Sequence, residues 1–206
     1  MESGDRPPDA DVVRSVLWRG DDPPGHERCD LVREADGWRL VGTVLAAWVG
    51  LPATVQYEVA LDDGWITRAT TIGVRLGTAA PRSLRLERDA SGRWWADRDR
   101  EQVRQPVPFA DGLMDVDLGC TPATNTLPIR RLRPAVGETV EATAVWVRFP
   151  DLALEPLPQR YSRLDERRFR YESAGGFVAG IEVDDIGLVV AYEGLWQREG
   201  EAPPAP

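Results

Sequence analysis

The chain has 206 residues, 42% hydrophobic and 29% charged, an ordinary balance for a globular protein of one large domain or two small ones. Its formal net charge of -9 argues against general binding to nucleic acid or to an anionic membrane, whose phosphates such a surface repels. All 25 basic residues are arginine, which meets carboxylates and phosphates through a planar fork.

Residues 1–10 are polar and Pro-rich and read as a disordered tail, as do residues 200–206. No long linker lies between them, so 11–199 is expected to form a single domain. Val12–Arg19 reads as the first strand, followed by the turn-rich Gly20–Gly25 and a short strand over Cys29–Glu34. Ala35-Asp36-Gly37 turns the chain into a longer strand, Trp38–Val49, and Gly50–Pro52 turns it again. Val55, Tyr57, Val59 and Leu61 alternate with Gln56 and Glu58, the period-two pattern of a half-buried strand. Asp62-Asp63-Gly64 is a hairpin signal leading into Trp65–Leu76. Leu84 and Leu86 alternate with Ser83, Arg85 and Glu87 before the turn Asp89–Gly92 and then Arg93-Trp94-Trp95. Asp97–Pro108 reads as loop, and so does Pro150–Pro158 with its three prolines. Thr139–Phe149 alternates again, and Gln159–Leu164, Arg167–Glu172, Phe177–Val183 and Leu188–Tyr192 complete the strands. With turn residues between these segments and no helix-period pattern of any length, the chain is predicted to be all-β and antiparallel. So long a meander must curl to cover its faces and edges.

One stretch departs from this pattern. Asp115 and Asp117 share one face of a strand, and a Thr/Pro/Asn segment follows, then Leu127, Ile129 and the cluster Arg130, Arg131 and Arg133. Thr121 is a good N-cap and Pro122 suits the first helical position, while Pro128 removes a backbone donor. Residues 121–132 are therefore predicted as a short helix, kinked or broken at Pro128.

The run Asp-Val-Asp-Leu (115–118) followed by Thr-Pro-Ala-Thr-Asn-Thr-Leu-Pro-Ile-Arg-Arg-Leu (121–132) resembles the signature of the bacterial putative glycolipid-binding family. Asp63-Gly64-Trp65-Ile66-Thr67-Arg68, Gly92-Arg93-Trp94, Phe149-Pro150-Asp151-Leu152, Gln159-Arg160-Tyr161 and Phe169-Arg170-Tyr171 extend the resemblance along the chain. Val183-Asp184, Gly187-Leu188-Val189 and Tyr192–Arg198 carry it to the C-terminal end. Ala123 departs from it, standing where a bulkier residue is expected after Thr-Pro. The resemblance implies a spiral β-roll, one large antiparallel sheet wrapped around a single helix. It also implies a homodimer and a fold similar to the periplasmic carriers that hold acyl chains in a half-open β structure. The glycolipid in the family's name is itself a fold-level inference, and fold alone does not establish function.

The residues leave two main readings open. In the first, the roll is a carrier or sensor for a lipid or glycolipid. Arg130 or Arg131 would engage the polar head, with Asn125 and Asp117 beside them and Trp146, Tyr161, Tyr171 and Trp196 lining the tail site. In the second, an enzyme acts on a small or sugar-containing substrate through Asp115, Asp117 and Arg130. A dimeric scaffold with a dry core is a third. The structural alternative for the charges is ion pairing of the two carboxylates with the nearby arginines. Nucleophilic catalysis finds little support, because the single histidine, His26, lies in a Pro-Pro-Gly loop. Cys29 and Cys120 form no metal-ligand pattern, so neither metal nor cofactor is expected. The polar first ten residues have no apolar signal core and no apolar run approaches a membrane span, so a cytoplasmic protein without a transmembrane segment is expected.

Overall fold

A computed structural model describes residues 11–99 and 103–203. The strands are β1 (Asp11–Asp21), β2 (Pro24–Glu34), β3 (Gly37–Trp48), β4 (Leu51–Asp62), β5 (Thr67–Leu76), β6 (Arg82–Arg88), β7 (Trp94–Arg98) and β8 (Gln105–Pro106). They continue as β9 (Asp115–Leu118), β10 (Thr139–Val147), β11 (Leu154–Arg163), β12 (Arg168–Ser173), β13 (Phe177–Val183), β14 (Val189–Tyr192) and β15 (Trp196–Ala202). All belong to one sheet, in the order β8-β7-β6-β5-β4-β3-β2-β1-β15-β14-β13-β12-β11-β10-β9. β1 and β15 join two meanders into one sheet. Neighbouring strands are antiparallel except β9 and β10, which run parallel. The large antiparallel sheet expected from the sequence is present, with this one parallel pair at its edge, where the helix between the strands carries the chain back to run in the same direction.

Alternation is strict where the sequence shows it. Ala53, Val55, Tyr57, Val59 and Leu61 are buried, and Gln56 and Glu58 are exposed. The hairpins share one device. Asp62 Oδ1 accepts the N–H of Gly64 (2.8 Å) and Ile66 (2.9 Å), and Asp89, Asp165 and Asp184 do the same in their own turns. Each carboxylate satisfies amides that the turn leaves unpaired.

The sheet curls back on itself without closing. Thr67 N donates to Met114 O at 2.9 Å and Val116 N to Thr67 Oγ1 at 3.3 Å, so the β9 edge meets the start of β5. Among the described residues a single short α-helix, α1 (Thr126–Leu132), lies against β9, entered through a 3-10 turn over Ala123–Asn125. Residues 121–129 are all buried. One continuous core runs from Trp18, Leu31 and Leu40 through Trp65 and Trp94 to Leu127, Tyr161 and Val189, so side chains occupy the interior of the roll.

Several elements differ from the sequence reading. Pro128 does not break α1. It is the third helical residue, where the amide has no intrahelical partner to lose. β11 begins inside the expected loop and runs through Pro156 and Pro158, whose side chains are exposed. The loop expected over 97–108 holds the end of β7 and the short β8; its residues 100–102 lie outside those described. The strand reading stopped at Tyr192, but β15 pairs with β1 as far as Ala202, opposite Ser15. Residues 1–10 and 204–206, assigned to the tails, lie outside those described.

Candidate functional site

The last turn of α1 sends two adjacent arginines in different directions. Arg131 turns back to β9, where its Nε donates to Asp115 Oδ1 at 3.0 Å and its Nη2 to Oδ2, a bidentate pair. Asp115 is 1% exposed. Burial pushes its carboxyl above the ordinary carboxylate range, and Arg131 opposes that shift.

Arg130 faces the rim instead. Its guanidinium lies over the Trp65 ring at 5.2 Å, and its aliphatic stem packs closely over Gly187, where a Cβ would come within 3.0 Å of it. Its Nε is buried without a partner, and no carboxylate comes within 4.0 Å of it among the described residues. Burial lowers its pKa, as does the charge of Arg133, against the pull of Asp184.

Arg133 ends α1 in the left-handed region (φ 46°, ψ 53°), which is costly for a residue other than glycine, and Pro134 prevents continuation. Its Nε donates to Arg130 O at 3.1 Å. Between the end of α1, the β11–β12 turn and the segment before β14 lies an open groove of about 630 Å³, lined among others by Arg130, Arg133, Arg163, Arg167, Phe169 and Asp184. Arg163 is fixed as a wall by three carbonyls, those of Pro134, Asp165 and Glu166. Arg130, Arg133 and Arg167 form no ion pair among the described residues. The acids at the rim are Glu166, Asp184 and Asp185. Asp184 is engaged by Arg198 at 2.9 Å and by two turn amides, and Asp185 by Arg14 at 3.5 Å. The groove therefore gathers four arginines against three acids, two of which are already engaged by other residues, in a chain that is acidic overall.

The other candidates lie elsewhere. Asp117 Oδ2 accepts from Gln159 Nε2 at 2.6 Å, and burial pushes its carboxyl up to about 6. Gln159 also donates to the Tyr171 hydroxyl at 3.0 Å. Tyr161 donates to Asn125 Oδ1 at 3.0 Å, and Asn125 Nδ2 donates to Pro122 O at 3.2 Å. Tyr161 lies 5.0 Å from Tyr171, which lies 6.0 Å from Tyr192. Asp117, Asn125, Tyr161 and Tyr171 thus form one interior polar-aromatic cluster. Acid/base work by Asp115 or Asp117 would require a substrate to displace Arg131 or Gln159. Phe169, two residues before Tyr171 on the inner face of β12, ties this cluster to the arginine groove. Trp146 is half-buried beside Gly119, with Arg148 over its ring at 5.6 Å. Trp196 lines a small cavity at the opposite end of β14. The sequence reading passed over Arg163 and Arg167, which reach Arg130 only through the fold. It also passed over Glu27, which stands at the same parity as the apolar Cys29 and Leu31 and so showed its anomaly in the pattern.

A family model described as "Putative glycolipid-binding" matches residues 15–198. The chain belongs to this family. It is similar to a crystal structure of a DUF1089 family protein from Pseudomonas aeruginosa, with 30% identity, 97% of each chain covered and a TM-score of 0.72. No curated protein matches. The span shared with the glycolipid-binding family contains α1, the arginine groove and the interior cluster. No helix among the described residues is long and apolar enough to cross a membrane.

Proposed function

We propose that the protein is a carrier or sensor that binds an amphiphile with an anionic head, such as an acidic glycolipid or phospholipid, at the arginine groove. The observation that carries this reading is Arg130: a partly desolvated guanidinium with an unpartnered buried Nε, beside Arg133 and Arg167, in a groove large enough for a head group. An isolated buried charge is costly, and like charges nearby add to the cost. A phosphate, sulfate or carboxylate would relieve both and accept bidentate bonds. Ile129, Phe169 and Val183 give the groove an apolar side for the first part of a tail. With side chains filling the interior, the amphiphile is held at the rim rather than enclosed. The homodimer implied by the resemblance is retained in this reading.

Arg131, by contrast, is spent on Asp115. A lipid extract and a set of pure anionic and uncharged amphiphiles, screened by thermal shift and native mass spectrometry, test the proposal. Anionic members are expected to raise the melting temperature and to co-ionise with the protein. A response indifferent to head-group charge would remove the role assigned to Arg130.

A further inference from the structure

The β3–β4 hairpin ends in an apolar tip. Residues 40–57 hold no charged side chain, in a chain that is 29% charged. β2 pairs with β3 as far as Ala46 and β5 with β4 as far as Ala53, so residues 47–52 project beyond the paired part of both neighbours. Ala47 pairs with Pro52 and Trp48 with Leu51, and Val49-Gly50 makes the turn. Val49 is 86% exposed, Leu51 48% and, behind them, Leu45 57%. Trp48 is half-buried at the base of the tip and meets Phe149 edge-on at 4.6 Å.

The turn residue is the anomaly. Both central residues have positive φ, 49° at Val49 and 76° at Gly50, as a type I′ hairpin turn requires. Asparagine or aspartate before the glycine suits that geometry, whereas a β-branched residue is strained there. Elsewhere the chain puts aspartate at its turns, at 62, 89, 165 and 184. At 49 it keeps an apolar side chain that the local backbone and water both disfavour. Such a cost points to a use outside the isolated fold.

We propose that this tip inserts into the surface of a phospholipid bilayer that carries no net charge. Its reach, about three residues or roughly 10 Å, matches the ~5–10 Å to which interfacial segments sink. Its cross-strand pairing lets it enter an apolar phase with those backbone groups matched. Between residues 44 and 53 the one polar side-chain group is the Trp48 indole N–H, so the tip offers almost nothing for the hydrogen bonds of a protein interface. The adjoining β5–β6 turn, residues 76–81, is uncharged as well and is tied to the tip by Gly77 N, which donates to Pro52 O at 2.8 Å. Arg75 and Arg82 bracket that turn, both exposed and outside any ion pair among the described residues. Arg75 lies opposite Thr54, behind the tip, where a guanidinium can meet lipid phosphate while Trp48 sits at the boundary. The net charge of -9, with Asp22 beside Trp48, opposes an anionic surface, so zwitterionic lipid is the fitting occupant. The tip is at the far end of β3 from Trp38, which stacks on the Trp65 beneath Arg130, so this inference does not rest on the arginine groove.

The test uses the full chain and phosphatidylcholine vesicles. The parent is expected to co-sediment with them, and lipids brominated in the upper acyl chain should quench its tryptophan fluorescence. Val49→Asn/Leu51→Thr removes two exposed apolar side chains and should weaken vesicle binding about tenfold or more. Val49→Asn supplies the residue the turn favours, so its melting temperature should equal or exceed the parent's, which separates loss of binding from loss of fold. Were the double replacement not to fold, Val49→Asn alone decides, with binding weakened about threefold. A parent that stays in the supernatant, or undiminished binding by the replaced protein, would overturn the inference. So would a parent dimer that the same replacement dissociates without vesicles, because the tip would then be a contact between copies.

Discussion

Arg130 and Arg131 are neighbours on one helix, and their replacement should have opposite consequences. Arg131→Met leaves Asp115, 1% exposed, with its charge buried and its paired bonds gone. Removing one partner of a buried pair costs about 3–5 kcal/mol, because the remaining charge is uncompensated. Arg131 itself is 17% exposed at the side chain, so some water can follow, which favours the lower end, about 3 kcal/mol. At about 2–4 °C per kcal/mol for a domain of this size, the melting temperature should fall by roughly 6–12 °C. Arg130→Met removes a buried Nε without a partner and a guanidinium close to Arg133, and loses only a cation–π contact worth about 1 kcal/mol. Its unfolding free energy should stay within about 1 kcal/mol of the parent. Urea unfolding at neutral pH, read by fluorescence and circular dichroism, measures both. A further mark distinguishes the mechanism. In Arg131→Met the loss should shrink in acid, because protonation discharges Asp115. Equal destabilisation by the two replacements would refute the assignment of one arginine to the fold and the other to the groove.

Three further outcomes follow from the interior. Glu27 and Asp117 have folded pKa values raised by burial, to about 8 and about 6, so the stability tied to their protonated forms is full below about pH 4 and lost as pH rises through those values. The Glu27 shift from 4.5 to about 8 corresponds to roughly 5 kcal/mol, so unfolding free energy should fall between pH 5 and 8.5, and Glu27→Gln should flatten most of that slope. Below about pH 4 the trend reverses, because Asp165 and Asp89 are held below the ordinary carboxylate range by turn amides and hydroxyls and lose those bonds on protonation. Gly42→Ala would place a methyl inside the Tyr57 ring, which is buried and cannot retreat; calorimetry should record a loss at or above the upper end of about 1–3 kcal/mol. Tyr161→Phe leaves Asn125 Oδ1 without its donor and should cost about 1–3 kcal/mol in the same assay.

The strands were legible because the physics that forms them is local. Period-two alternation in β4 and β6, and the aspartates that open the turns at 62, 89, 165 and 184, are written in adjacent residues. β15 escaped because Gln197, Arg198, Glu199 and Glu201 make it mostly polar; it is a strand through its pairing with β1, far away in sequence. Only the first half of β11 escaped, because its outward-pointing prolines read as loop; its second half falls in the expected strand Gln159–Leu164. The run 115–133 stood out by composition, yet its chemistry divides in a way composition does not show. Only the curl of the sheet puts Arg131 on Asp115, leaves Arg130 free, and brings Arg163 and Arg167 to the same rim.

The most direct test of the account compares binding of one short-chain glycolipid with a phosphorylated head and of its uncharged counterpart. Titration calorimetry would be run on the parent and on Arg130→Met/Arg167→Met, at low and at high salt. The account predicts that the parent prefers the charged lipid by tenfold or more, about 1.4 kcal/mol, that the preference narrows with salt, and that the double replacement abolishes it while the fold persists. Undiminished binding of the charged lipid by the double replacement would contradict the account.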